Sequence, residues 1–61
     1  MEDKVFITTS CGLAYRAKED DLYLIWQRSL LVENKPEEWS SVLERDVPEE
    51  IRRMADRFFN R

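Results

Sequence analysis

The chain has no histidine, one cysteine, one glycine and two prolines among its 61 residues, and each scarcity closes off a class of function. Without histidine there is no Ser-His-Asp or Cys-His catalytic arrangement and no imidazole base for work near neutral pH. One cysteine cannot form an intramolecular disulfide, which points to a reducing compartment and away from a secreted disulfide scaffold. Nor can it supply the roughly four Cys or His ligands of a structural zinc site. A single glycine excludes both the glycine-rich phosphate loop and the dinucleotide-binding fingerprint. No apolar run approaches the roughly 18 residues of a membrane span. The start, Met1-Glu2-Asp3-Lys4, lacks the basic segment and long apolar stretch of a signal peptide. The expectation is a cytoplasmic chain that is not an enzyme and has no cofactor, metal or membrane partner.

What is present argues for a folded domain. Hydrophobic residues make up 43% and charged residues 38%, a balance of globular rather than disordered chains. Seven aromatics, Phe6, Tyr15, Tyr23, Trp26, Trp39, Phe58 and Phe59, are available for a core. The length sets one small domain, residues 1–61, and a domain of this size buries only about 60% of its unfolded surface. Small domains usually add a disulfide, a metal or a second subunit. With the first two excluded, self-association or a helix-dense core is left. The net charge of −3 mixes both signs and gives no general attraction to nucleic acid or anionic membranes.

The order of elements reads as an α+β fold, mostly helical. Val5, Phe6, Ile7, Thr8 and Thr9 are β-branched or aromatic and predict a strand. That strand either forms a β-hairpin over about 4–17, turning at Cys11-Gly12, or pairs edge to edge with another copy of the chain. Lys18-Glu19-Asp20-Asp21 suits a helix start, and Leu22, Ile25, Trp26 and Leu30 recur at helical spacing. A helix over about 19–33 is the expectation, with a strand as the competing reading because Leu22, Leu24 and Trp26 also alternate. Two related stretches follow, "NKPEEWSSVL" from Asn34 and "DVPEEIRRMA" from Asp46. Each places a capping residue, a proline and two glutamates ahead of an apolar residue, which is the grammar of a helix start. They predict helices over about 36–45 and 48–60, and Ile51, Met54, Ala55, Phe58 and Phe59 match the helical template in full.

No constellation of catalytic groups emerges. Ser10 and Cys11 lack an activating base, and Cys11 reads as a small, partly buried turn residue unless Lys4 or Lys18 folds beside it. The cluster Glu19, Asp20, Asp21 lacks the spaced ligands of a calcium loop. The large apolar residues are numerous for so small an interior, and aromatics are enriched at interfaces. Val5, Phe6, Ile7, Tyr23, Leu24, Leu31, Trp39, Phe58 and Phe59 are therefore the candidate interface of a non-catalytic interaction or regulatory module that binds itself or a protein partner. The alternative is a nucleic-acid-associated regulator using Arg53, Arg57 and Arg61, which share a helix face at i, i+4 spacing. Nucleic acid is the less favoured partner, since Glu49 and Glu50 lie on the same helix and the chain is acidic overall. The short, densely charged chain has the style of a bacterial or phage accessory protein.

Overall fold

Three two-residue turns shape the architecture. In the computed structural model, which describes residues 4–61, strand β1 (Val5–Ser10) turns at Cys11-Gly12 into β2 (Leu13–Asp20). Strand β2 turns at Asp21-Leu22 into β3 (Tyr23–Val32), and β3 turns at Glu33-Asn34 into the short β4 (Lys35–Pro36). Strand β5 (Ser40–Val42), a 3-10 turn at Glu44–Asp46 and helix α1 (Glu49–Phe59) complete the chain. Both central residues of the first and third turns have positive φ: Cys11 at 50°, Gly12 at 78°, Glu33 at 53° and Asn34 at 65°. This is the geometry that matches the twist of a two-residue hairpin. Asp21 adds a further positive φ of 55°.

All pairings are antiparallel. β2 lies between β1 and β3, and β3 is bonded on both edges: to β2 along Tyr23–Leu30, and on its far edge to β5 through Trp26–Arg28 and to β4 through Leu31–Val32. One face of the sheet carries α1. Phe6, Ala17 and Trp26 are cross-strand neighbours on that face, and with Tyr15 and Val47 they pack against Ile51, Ala55 and Phe59 of the helix. Ala17 and Ala55 are almost wholly enclosed, and their small size lets the helix approach the sheet. Phe6 meets Trp26 edge to face with ring centroids 6.4 Å apart, a favoured aromatic geometry. The indole Nε1–H of Trp26 is buried without a partner among the described residues, a cost accepted for the volume that Trp26 fills.

The expected mostly helical fold is corrected here: half of the described residues lie in strands and there is one α-helix. The hairpin turn at Cys11-Gly12 and a helix within 48–60 are present. The helix expected over 19–33 is instead the end of β2, a turn and β3. Leu22, first member of the helical stripe, sits in the turn and is 79% exposed, while Leu24 and Trp26 obey the strand alternation and face α1. The segment is apolar on more than one face because Leu24 and Trp26 face α1 while Tyr23 and Ile25 stand exposed on the other side of the sheet.

The helix expected over 36–45 is replaced by the end of β4, a crossing segment, β5 and the 3-10 turn. Asn34 does not cap; it takes the left-handed conformation the turn needs. The Glu37 and Glu38 amides, which a helix start would have offered to Asn34, donate instead to the buried Ser29 Oγ at 3.0 and 3.1 Å. Asp46 likewise makes no cap, because α1 begins after Pro48 without a side-chain acceptor.

The helix ends in a specific way. Asn60 adopts φ 60°, ψ 48°, its N–H reaches the Arg57 carbonyl, and the Arg61 N–H reaches that of Asp56. This is the Schellman pattern, in which the left-handed residue redirects the chain. It delivers Arg61 to the β2–β3 turn, where its guanidinium donates to the Leu22 carbonyl at 2.6 Å and pairs with Glu19 at 3.2 Å.

The turns make opposite predictions for two substitutions. A Cβ on Gly12 meets nothing within 4 Å, so Gly12→Ala should cost only the left-handed backbone penalty, about 1 kcal/mol, while Glu33→Gly should relieve a similar penalty. Urea unfolding checks both, with the midpoint expected to fall for the first and rise for the second. Unchanged midpoints would contradict the turn geometry.

Candidate interaction surface

The face of the sheet turned away from α1 divides into a covered half and an open half. Ala14 and its cross-strand neighbour Ser29 are both enclosed, at 1% and 2% exposure, although they lie on this outer face. The segment between β4 and β5 crosses over them, and two small side chains make room for it. Ser29 fixes the crossing by accepting from the Glu37 and Glu38 amides while donating to the Leu30 carbonyl. Trp39, the next residue, is thereby placed on the guanidinium of Arg16, whose Cζ lies 4.2 Å from the ring centroid. A hollow of about 470 Å³ flanks the crossing, lined by Leu13, Arg28, Ser29, Glu37 and Glu38 among others, but the Ser29 hydroxyl within it is already engaged.

The open half is built from two cross-strand rows, Val5–Lys18–Ile25 and Ile7–Arg16–Gln27. Val5, Ile7, Tyr23 and Ile25 are 44%, 59%, 74% and 40% exposed, a concentration of apolar surface on one face of a small chain. A depression of about 370 Å³ lies among Val5, Arg16, Lys18, Ile25 and Gln27. Within it, the Arg16 Nε donates to Gln27 Oε1 at 2.6 Å. Arg16 is thus clamped between an amide and an indole, and neither Arg16 nor Lys18 makes an ion pair among the described residues.

The free edge of β1 adjoins this face. Antiparallel strands alternate between residues bonded to their neighbour and residues whose amides point away. The two-residue turn makes Ser10 and Leu13 the closing bonded pair, so Ser10, Thr8 and Phe6 bond to β2. Val5, Ile7 and Thr9 then direct their N–H and C=O groups outward, with no backbone partner among the described residues. Their side chains lie on the open face.

The residues nominated from sequence fall into three groups. Val5, Ile7 and Tyr23 stand on the open face. Phe6, Leu24 and Phe59 are spent in the core beneath α1, while Phe58 packs on Phe6 at 5.6 Å between centroids yet stays 45% exposed. Leu31 is half-buried opposite Pro36, and Trp39 is half-buried over Arg16. The arginine row is not a uniform cationic stripe: Arg53 pairs with Glu49, Arg61 is turned to Glu19, and Arg57 stands exposed.

Cys11 is exposed in its turn, not partly buried, with the Ser10 hydroxyl 3.7 Å from its sulfur. Lys18 lies at the other end of β2, roughly 20 Å along the strand, too far to activate it. Arg16, Gln27 and Ser29 are not singled out by the sequence, and Lys18 and Ile25 stand out there only as a possible neighbour of Cys11 and as part of a helical stripe. The signal was the alternation of "YRAK", which sets Arg16 and Lys18 on one strand face, but it has meaning only once Leu13–Asp20 is known to be a strand.

No three potential metal-ligating side chains cluster among the described residues, and no helix there is long and apolar enough to cross a membrane. No protein-family model matches the chain, and no curated protein or solved structure matches it.

Ser29 should be worth more than its size suggests. Ser29→Ala leaves the Glu38 amide without its acceptor and the Glu37 amide with only its longer bond to the Leu30 carbonyl at 3.3 Å, which should lower stability by about 1–3 kcal/mol and shift Trp39 emission to the red as the crossing loosens. Urea unfolding followed by tryptophan fluorescence checks both, and an unchanged midpoint would contradict the anchoring role.

Proposed function

We propose that the chain is a non-catalytic interaction module that self-associates through the free edge of β1. The observation that supports this reading is the character of that edge. Natural sheets blunt exposed edges with charge, proline, bulges or a covering element. Val5–Ser10 contains no charged residue and no proline, and its register with β2 runs without a bulge. Apolar surface flanks it on both sides, Val5 and Ile7 on the open face and the half-exposed Phe58 on the helix side. Antiparallel pairing of two β1 strands centred on Ile7 sets Val5 of each copy opposite Thr9 of the other. It joins the outward amides of Val5, Ile7 and Thr9 and brings the two Ile7 side chains together. Such an isologous contact closes on itself and yields a dimer.

A second subunit also supplies the staple that so small a core otherwise lacks. The single exposed thiol suits a reducing, cytoplasmic setting.

Light scattering coupled to size exclusion at micromolar concentration should give twice the 7.4 kDa chain mass. Ile7→Lys should convert it to a folded monomer, whereas Leu22→Lys, in the distant β2–β3 turn, should remain dimeric. A wild-type monomer would remove the reading.

A further inference from the structure

We infer that the clamped Arg16 and neighbouring Lys18 form a carboxylate-binding subsite for an extended acidic peptide of a partner protein. The reading goes beyond β1 pairing and does not depend on it. Three observations carry it.

Arg16 is preorganised. Its Nε is occupied by Gln27 Oε1 and one face of its guanidinium by Trp39, so the side chain is held in place with the two terminal nitrogens outside that hydrogen bond. A fixed, planar fork is the geometry that recognises a carboxylate bidentately. The cost of ordering a long side chain has already been met within the fold.

The charge of the depression is one-sided. Arg16 and Lys18 lie on the depression with Val5, Ile25 and Gln27, and no acidic residue lines it. Glu19 is on the opposite face with Arg61, while Asp20 lies on the open face beside Tyr23, beyond Lys18 and outside the depression. A depression with two cations and apolar Val5 and Ile25, and with Ile7 on the same face, complements a segment that mixes carboxylates with aliphatic side chains.

The spacing is that of a strand. Arg16 and Lys18 are alternate residues of β2, so their Cα atoms are roughly 7 Å apart. Carboxylates on alternate residues of an extended peptide have the same separation. A single-stranded nucleic acid is the less suitable ligand. The indole face of Trp39 turned to Arg16 is taken, and no aromatic side chain lines the depression on which a base could stack.

The test uses the full chain labelled with ¹⁵N and a capped peptide alternating glutamate and valine. Saturable shifts are expected at the Arg16 Nε–H, the Gln27 side-chain amide and the Lys18 backbone. Arg16→Lys and Lys18→Gln should each weaken binding roughly tenfold or more, because lysine cannot reproduce the fork and glutamine carries no charge. Lys18 is exposed, so its variant should keep the wild-type circular dichroism spectrum. Equal binding of a peptide alternating glutamine and valine would overturn the inference. So would shifts confined to other residues, no binding by the wild type, or tighter binding of a single-stranded oligothymidylate at Arg16. Mass measurements on the same samples report β1 pairing separately, so failure of one reading is distinguishable from failure of the other.

Discussion

Everything in this fold depends on β3 being bonded along both edges. Its odd-numbered residues bond to β2 and its even-numbered residues to β4 and β5, so the strand joins the two halves of the sheet. Trp26 stands at its centre, facing α1 on one side of the backbone. From that strand the two functions of the sheet separate. The inner face is consumed by the core, and the outer face is left for a short crossing segment and a patch of apolar and basic side chains. A chain of 61 residues cannot cover both faces of a five-stranded sheet with one helix of three turns. The exposed patch is the geometric consequence.

Small side chains decide where the outer face is closed. Ala14 and Ser29 allow the crossing segment to lie flat, and the hydroxyl of Ser29 replaces the helix cap that Asn34 would have provided. Trp39 then rests on the guanidinium of Arg16. The same residue that ends the covered half therefore restrains an arginine of the open half, so the packing of the two halves is coupled.

What could be read from the residues followed from local rules, and what could not followed from partners distant in the chain. Gly12 and the β-branched run before it point directly to a turned strand, and the spacing of Ile51, Ala55 and Phe59 points directly to a helix. Residues 22–32 satisfy strand and helix patterns at once. Only the availability of β2 on one edge and β5 on the other decides between them. "NKPEEW" carries genuine helix-start chemistry, yet its amides find a better acceptor in Ser29, eight residues back in sequence and across the sheet. Size and apolarity alone nominate interface candidates but cannot separate Phe6, buried beneath α1, from its neighbour Ile7, facing outward. Alternation along a strand makes that distinction, and Arg16 and Lys18 become visible by the same rule.

The central claim is that the edge of β1 is made to be paired. Hydrogen exchange at single residues tests it most directly. The amides of Phe6 and Thr8 bond to β2 within one chain, while those of Val5, Ile7 and Thr9 can be protected only by a second strand. The account predicts that Phe6 and Thr8 stay protected at every concentration, whereas Val5, Ile7 and Thr9 are protected in concentrated solution and lose protection on dilution. Fast exchange of Val5, Ile7 and Thr9 at all concentrations would contradict it.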